Sequence, residues 1–327
     1  MRKFIALTAV FALTALTACG GSTQYASTAN STNTTNYTSN NTQTAEVTKS
    51  SEHSYTYVDT YGNEYSGTYT GEWENNCPNG EGSFLSKSGN SKLSLVGSWT
   101  NGQPNGQCMY ILESDTGVVT YNGEYFYGVM QGIGSMKMED INGNLLIAYT
   151  GEVRDGELSG NGEYTHYYTE EETREHGIAR EVYKGQFSND NINGEGEQAF
   201  YMGNTYAADS GCDHIVFTGQ FTDGAMNGEG AQIIYLTKEF ATELGCDRLI
   251  CTGQFIDNEI KEPYRYAFYS GNEAVEEGRV RDGKLISDGN KAITDGLYDL
   301  GRELAGDGVW GFLYDAIAPS VYDRDAY

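Results

Sequence analysis

One phrase is written into this chain again and again, and it dictates an array. In order it reads YTGEWENNCPNGEG, LVGSWTNGQPNGQC, YNGEYFYGVMQGIG, YTGEVRDGELSGNG, YKGQFSNDNINGEG, FTGQFTDGAMNGEG and a decayed CTGQFIDNEIKEPY. The leading glycines are Gly71, Gly97, Gly123, Gly151, Gly185, Gly219 and Gly253, with Gly278 opening a worn eighth copy. Successive spacings are 26, 26, 28, 34, 34, 34 and 25 residues. Repeats of this length are single supersecondary units that cannot bury a hydrophobic face alone and must stack on their neighbours. An elongated repeat architecture is therefore expected before any chemistry is considered.

The second copy shows what one unit builds. Leu95, Gly97 and Trp99 alternate and share one face of a strand. Asn101-Gly102 follows, the strongest short hairpin signal. Asp155-Gly156, Asp223-Gly224 and Asp282-Gly283 repeat that turn chemistry. Where the glycine is missing, Asn76, Asp190 and Asn258 hold its slot, residue types that tolerate a left-handed backbone. Each copy reads as a β-hairpin.

Glycine weakens a strand, so the glycines two apart on the returning strand need a reason. They are Gly80 and Gly82, Gly132 and Gly134, Gly160 and Gly162, Gly194 and Gly196, Gly228 and Gly230, with Gly106 and Cys108 in the second copy. A face carrying glycine leaves a notch in which a ring lies against bare backbone. Rings stand two residues after the leading glycine, at Trp73, Trp99, Tyr125, Phe187, Phe221 and Phe255. Others stand two before it, at Tyr69, Tyr121, Tyr149, Tyr183 and Phe217. Ring over glycine, copy after copy, predicts a continuous apolar ladder and assigns these residues to the core.

The pattern Y-x-G-x-W-x-x-G-x-x-x-G-x-G resembles the MORN repeat (membrane occupation and recognition nexus) over about residues 69–290. The resemblance implies an all-β chain, an elongated antiparallel sheet of hairpins serving in scaffolding and recognition, with no catalytic residue. Copy seven departs from it, with Glu262 and Tyr264 in place of the paired glycines, and the linkers exceed the usual spacing.

Those linkers have an order of their own. Segments ahead of Gly177, Gly211 and Gly245 suit short helical turns, with Thr169 and Thr237 as N-caps and the glycines just past the helix ends. Five cysteines follow Cys19, so at least one thiol stays unpaired. Cys212 and Cys246 occupy equivalent slots two strands apart, roughly 9–10 Å against the reach of about 7 Å that a disulfide allows, so a bond between them requires the inserted turns to bend together. Cys77 and Cys108 sit at unequal slots of adjacent copies, and the sequence leaves their pairing open.

Around the array the chain changes character. Arg2 and Lys3 precede an apolar stretch too short to span a membrane, and Leu16-Thr17-Ala18-Cys19 resembles the lipobox of bacterial lipoproteins. Residues 1–18 are then a signal peptide and Cys19 the lipidated N-terminus. Residues 19–54 read as a Ser/Thr/Asn stalk, 55–290 as the array of about seven to eight copies, and 291–327 as a helical cap. The cap reading rests on helically spaced Ile293, Leu297, Leu300 and Leu304, then Val309, Phe312, Leu313 and Ile317.

A formal charge of −26 argues against nucleic acid as a partner and equally against anionic lipid headgroups. No cofactor fingerprint, zinc spacing or regular oxygen-ligand series is present, so neither cofactor nor metal is expected. Cys212-Asp213-His214 does not qualify as a nucleophile with its base, because strand neighbours point to opposite faces. The sequence thus predicts a non-catalytic scaffold, anchored in a bacterial envelope through lipid at Cys19, that presents a rigid acidic surface to a protein partner. A glycan-binding module using exposed aromatics is the alternative, and an enzyme built around His166, His176 or His214 a more distant one.

Overall fold

The structure is a computed structural model and describes residues 48–60, 62–282 and 284–288. The stretches read as signal peptide and C-terminal cap, and Cys19 itself, lie outside the described residues. A leading strand, β1 (Thr48–Val58), is followed by eight hairpins. These are β2 (Glu64–Glu74) with β3 (Cys77–Ser88), β4 (Ser91–Thr100) with β5 (Gln103–Ser114), β6 (Gly117–Phe126) with β7 (Val129–Glu139), and β8 (Leu145–Arg154) with β9 (Glu157–Tyr167). Then come β10 (Ile178–Ser188) with β11 (Asn191–Met202), β12 (Cys212–Thr222) with β13 (Ala225–Leu236), β14 (Arg248–Ile256) with β15 (Glu259–Ser270), and β16 (Glu273–Arg281) with β17 (Lys284–Ser287). Every strand pairs antiparallel with its chain neighbours, giving one 17-stranded sheet. Short helices α1 (Glu170–His176), α2 (Asn204–Ser210) and α3 (Lys238–Leu244) join the successive hairpins from the fourth to the seventh.

The turns follow from their residues. Asn101 and Gly102 have φ of 49° and 83°. The same double left-handed pair recurs at Asn75-Asn76, Asp155-Gly156, Asn189-Asp190, Asp223-Gly224 and Asp257-Asn258. Two positive φ values define the type I′ turn, whose twist matches that of the flanking strands. Successive turns are tied together. The Gly102 amide donates to Pro78 O (2.9 Å), Gly128 to Pro104 O (2.8 Å) and Gly156 to Met130 O (3.0 Å). Asn193 Oδ1 accepts the Asp223 amide at 3.2 Å and Asn227 Oδ1 accepts that of Asp257 at 3.1 Å, which explains the Asn of the NGEG phrase.

The paired glycines do two different jobs. Gly71 and Gly82 are direct partners across the hairpin, but Trp73 then pairs with Pro78, so the returning strand bulges between them. Gly80 sits in that bulge at φ 69°, and the Glu72 side chain fills the space its Cβ would need. Gly82 lies under the Tyr69 ring. The notch predicted for both glycines therefore belongs to the second of each pair; the first supplies a left-handed backbone. Gly134 lies under Tyr121, Gly162 under Tyr149 and Gly196 under Tyr183 in the same way.

Three copies vary this packing, and in the sixth Met226, not the predicted Phe217, lies against Gly219 and Gly230. In the second, Leu95 replaces the tyrosine and Cys108 replaces the glycine opposite Gly97. In the seventh, Cys251 takes the ring slot and Tyr264, buried beside Gly253, fills the notch from the other side. Volume is conserved across the pair, which is what a close-packed interior tolerates best.

The rings interlock between hairpins along the inner face. Tyr69 meets Trp99 at a centroid distance of 5.4 Å, Tyr149 meets Phe187 at 5.6 Å and Tyr183 meets Phe221 at 5.5 Å, all edge to face. Each ring burial stabilises by about 1.5–3 kcal/mol and each edge-to-face pair adds about 0.5–1.5 kcal/mol. The ladder is fastened at its N-terminal end by β1, which begins at Thr48, inside the stretch read as stalk. His53 stacks on Trp73 at 4.0 Å, Tyr55 donates its hydroxyl to Gly102 O at 2.7 Å, and Tyr57 is buried against Phe84 and Trp99. Residues 48–54 thus belong to the sheet.

The helices form where predicted, although Thr237 stands at the N-cap of α3 without a side-chain capping bond. Thr169 closes a capping box with Glu172, and Gly177, Gly211 and Gly245 end the three helices in the left-handed conformation. They stack along the edge opposite the turns, the Tyr206 ring on Gly177 and the Phe240 ring on Gly211. Among the described residues, no helix is long and apolar enough to cross a membrane.

Candidate interaction surface

Rings and glycines fill the inner face, and the outer face carries the variable side chains. Nearest the turns it carries a row of acids and amides. Ser98 Oγ donates to Glu81 at 2.5 Å and Gln131 Nε2 to Asp155 at 2.7 Å. Gln220 and Gln254 donate to Glu195 and Glu229 in the same row. These are exposed pairs and add little stability.

Farther from the turns the two halves of the sheet diverge. Over the 34-residue copies, Tyr167, Arg180, Tyr201, His214, Tyr235, Arg248 and Tyr269 are successive partners on seven adjacent strands. The Arg180 guanidinium stands 4.0 Å over Tyr201, and His214 lies between Tyr201 (5.0 Å) and Tyr235 (4.2 Å). Arg248 stands 4.8 Å over Tyr269. The tyrosines alternate with Arg180, His214 and Arg248, a favourable stack. Asp213 and Asp247 bond the His214 and Arg248 side chains at 2.6 Å each. Tyr201 is thus packed between Arg180 and His214, and His214 between two tyrosines. Sequence reasoning missed this stack, although the tyrosines, and separately Arg180, His214 and Arg248, recur every 34 residues.

Over β2–β8 the middle of the outer face is nearly uncharged, between the acidic row of Glu72, Glu81, Glu124 and Glu152 and a row carrying Lys87, Lys92, Glu113 and Glu139. Two rows of seven residues, running from Thr70 to Thr150 and from Thr68 to Ala148, contain one charged side chain, Lys137. Val96 and Met109 are direct partners there, and Leu85 lies diagonal to Val96. All three are exposed, by 48%, 40% and 38%. Beside them is the turn of the third hairpin, where Tyr127 adopts φ 46°. A left-handed backbone costs a bulky residue about 1–2 kcal/mol. Phe126 and Tyr127 are 62% and 50% exposed and pack edge to face at 4.9 Å.

The groups considered for catalysis are tied to structure. His166 is the cross-strand partner of Glu181, a buried carboxylate that accepts Gln198 Nε2 at 2.7 Å and the Tyr168 hydroxyl at 3.2 Å. A polar cluster with its atoms mutually bonded rigidifies a core. Burial, with Asp213 adding to it, pushes the Cys212 thiol up to about 12. Such a thiol is inert at neutral pH. Among the described residues no group of three or more metal-ligating side chains converges.

The pairing left open for Cys77 and Cys108 is not formed, and both thiols are free. Cys77 lies beside the first turn and bonds Glu74 O, while Cys108 occupies the glycine row and bonds Ser98 O, each at 3.3 Å. Two strands and about five residues separate them, roughly 15–20 Å. Cys212 and Cys246 are likewise free and buried.

No curated protein matches the chain. The family model described as MORN repeat matches residues 69–91, 96–116, 121–140, 149–167, 183–205 and 217–231. These segments are the cores of hairpins one to six. MORN repeats build protein-interaction or membrane-associated modules, and the hairpin, turn and ring pattern above is their physical content. Residues 69–231 are an array of six MORN repeats, and the chain is a MORN-repeat protein.

Proposed function

We propose that the chain is a non-catalytic scaffold, held to the outer side of a bacterial membrane by lipid on Cys19. Its outer face would serve a protein partner in the envelope. One observation carries this reading: the residues that recur from copy to copy are used in the turns, the bulges and the inner ladder. Tyr183 lies over Gly185 and Gly196 and against Phe221, leaving none of its faces for a ligand. What varies between copies is the outer surface, and surface variation on a stiff repeat is how such arrays recognise partners. The acidic turn rows favour a partner with a basic face. A glycan platform is the weaker reading, since Tyr201, at the middle of the outer ladder, is packed between Arg180 and His214.

Metabolic labelling with an alkyne fatty acid, followed by fractionation of the wild type and Cys19→Ala, tests the anchor. Label and membrane association lost together in Cys19→Ala are expected. A membrane-bound, unlabelled wild type would refute the lipid. For the scaffold, photo-crosslinkers placed on the outer face in intact cells should trap a discrete protein.

A further inference from the structure

We propose that the edge of the sheet just beyond α3 is a docking site for the chain's own segment 289–304. On it, Lys291 closes on the buried carboxylate of Glu276.

The helix stack ends on an open position. Helices follow the returning strands β9, β11 and β13, but β15 and β16 are joined by a tight turn at Gly271, φ 59°. Each later helix covers the cap glycine of the one before, Tyr206 on Gly177 and Phe240 on Gly211, and both glycines are buried. Gly245, the cap of α3, is exposed, and nothing packs within 4 Å of a Cβ placed on it. Successive helices are two strands apart, roughly 9–10 Å, about one helix diameter. The turn at Gly271 therefore leaves a gap one helix wide.

A buried acid beside that gap lacks a partner. Glu276 ends the inner row that runs through Phe200, Ile215, Ile234, Leu249 and Phe268. It is 5% exposed; Oε1 accepts the Tyr266 hydroxyl at 3.1 Å, and buried Oε2 has no hydrogen-bond partner. Glu181, at the start of the same row, has both oxygens bonded. A buried carboxylate requires a donor, and a cation serves best. The nearby arginines are committed on the other face: Arg248 pairs with Asp247, and Arg265 and Arg279 both pair with Asp288.

The path of the chain and its charge select the occupant. The Asp288 amide donates to Glu277 O at 2.9 Å, so the chain leaves β17 beside Glu276 and heads for the helix edge. Lys291 follows three residues later, within roughly 10 Å of backbone. Behind it, Ile293, Leu297, Leu300 and Leu304 recur at helical spacing, an apolar stripe of the kind that packs against a body. Asp295, Asp299 and Glu303 fall on the opposite side of that spacing, away from the contact. Asp288 tethers the segment, so docking is intramolecular and needs no large interface.

Native-state amide exchange on the full chain, reading the opening constants of residues 264–277, tests this. Lys291→Met should raise them at least about tenfold and Glu276→Gln at least about fivefold. The double variant should fall at least about fivefold short of the product, because the two side chains act as a pair. Arg302→Met should leave the same constants within about twofold. Constants unmoved by Lys291→Met, constants lowered by Glu276→Gln as for an uncompensated buried charge, or effects that simply multiply in the double variant would each overturn the proposal.

Discussion

Tyr183 and Phe221 belong to successive hairpins, 38 residues apart in sequence, and meet edge to face with centroids 5.5 Å apart. The tyrosine simultaneously covers the glycine pair of its own hairpin, Gly185 and Gly196. One side chain thus closes its own repeat and opens the contact to the next. That double use is why a unit too small to fold alone becomes stable in a row.

The notch beneath each ring has no spare volume. A Cβ on Gly162 would lie 2.6 Å from the Tyr149 ring, and the backbone there has no positive φ, so packing is the whole cost. Gly162→Ala should destabilise by about 1–3 kcal/mol, read as a lowered urea midpoint with an unchanged slope.

The tyrosine hydroxyls separate into two classes. Tyr149 donates to Glu152 O at 2.7 Å and Tyr183 to Gln186 O at 3.0 Å, whereas the buried Tyr69 and Tyr121 hydroxyls lack a hydrogen-bond partner. Tyr149→Phe should therefore cost about 0.5–1.5 kcal/mol, while Tyr121→Phe should be neutral or stabilising in the same denaturation assay.

Much of this was legible beforehand because it is local. Asn-Gly and Asp-Gly set the turns, and ring–glycine spacing set the inner face. What stayed hidden depends on register. Arg180 and Tyr201 share a row only after a shift in pairing between Ile178 and Arg180, and no spacing in the sequence announces that shift. β1 was concealed by its Ser/Thr-rich surroundings, although Tyr55 and Tyr57 already alternate. Tyr127 escaped because turn rules describe what fits a left-handed backbone, not what is forced into it.

Alkaline pH should dissolve the ladder. Burial raises Tyr69, with Glu72 and Glu81 adding to it, and burial raises Tyr183, each from 10.0 to about 12. Burial lifts the Cys108 and Cys246 thiols from 9.0 to about 11. The folded chain holds these protons to higher pH than the unfolded chain, so it gains stability from them only while they stay bound. The melting temperature should begin to fall above about pH 9 and drop further between about 10 and 12. Tyrosinate absorbance should appear together with loss of structure.

The outer ladder makes a separate prediction. His214 is sandwiched between Tyr201 and Tyr235, so His214→Ala removes two stacked contacts. A loss of about 1–3 kcal/mol is expected from two such pairs. Because Asp213 bonds the ring at 2.6 Å, Asp213→Asn should lower stability less than His214→Ala.

The claim that the hairpins are one interlocked array is tested most directly by amide hydrogen exchange on Tyr183→Leu. If the ring couples neighbours, protection should fall in β10 and β11 and also across the 217–230 segment of the next hairpin. Loss confined to β10 and β11, with the next hairpin as protected as in the wild type, would contradict it.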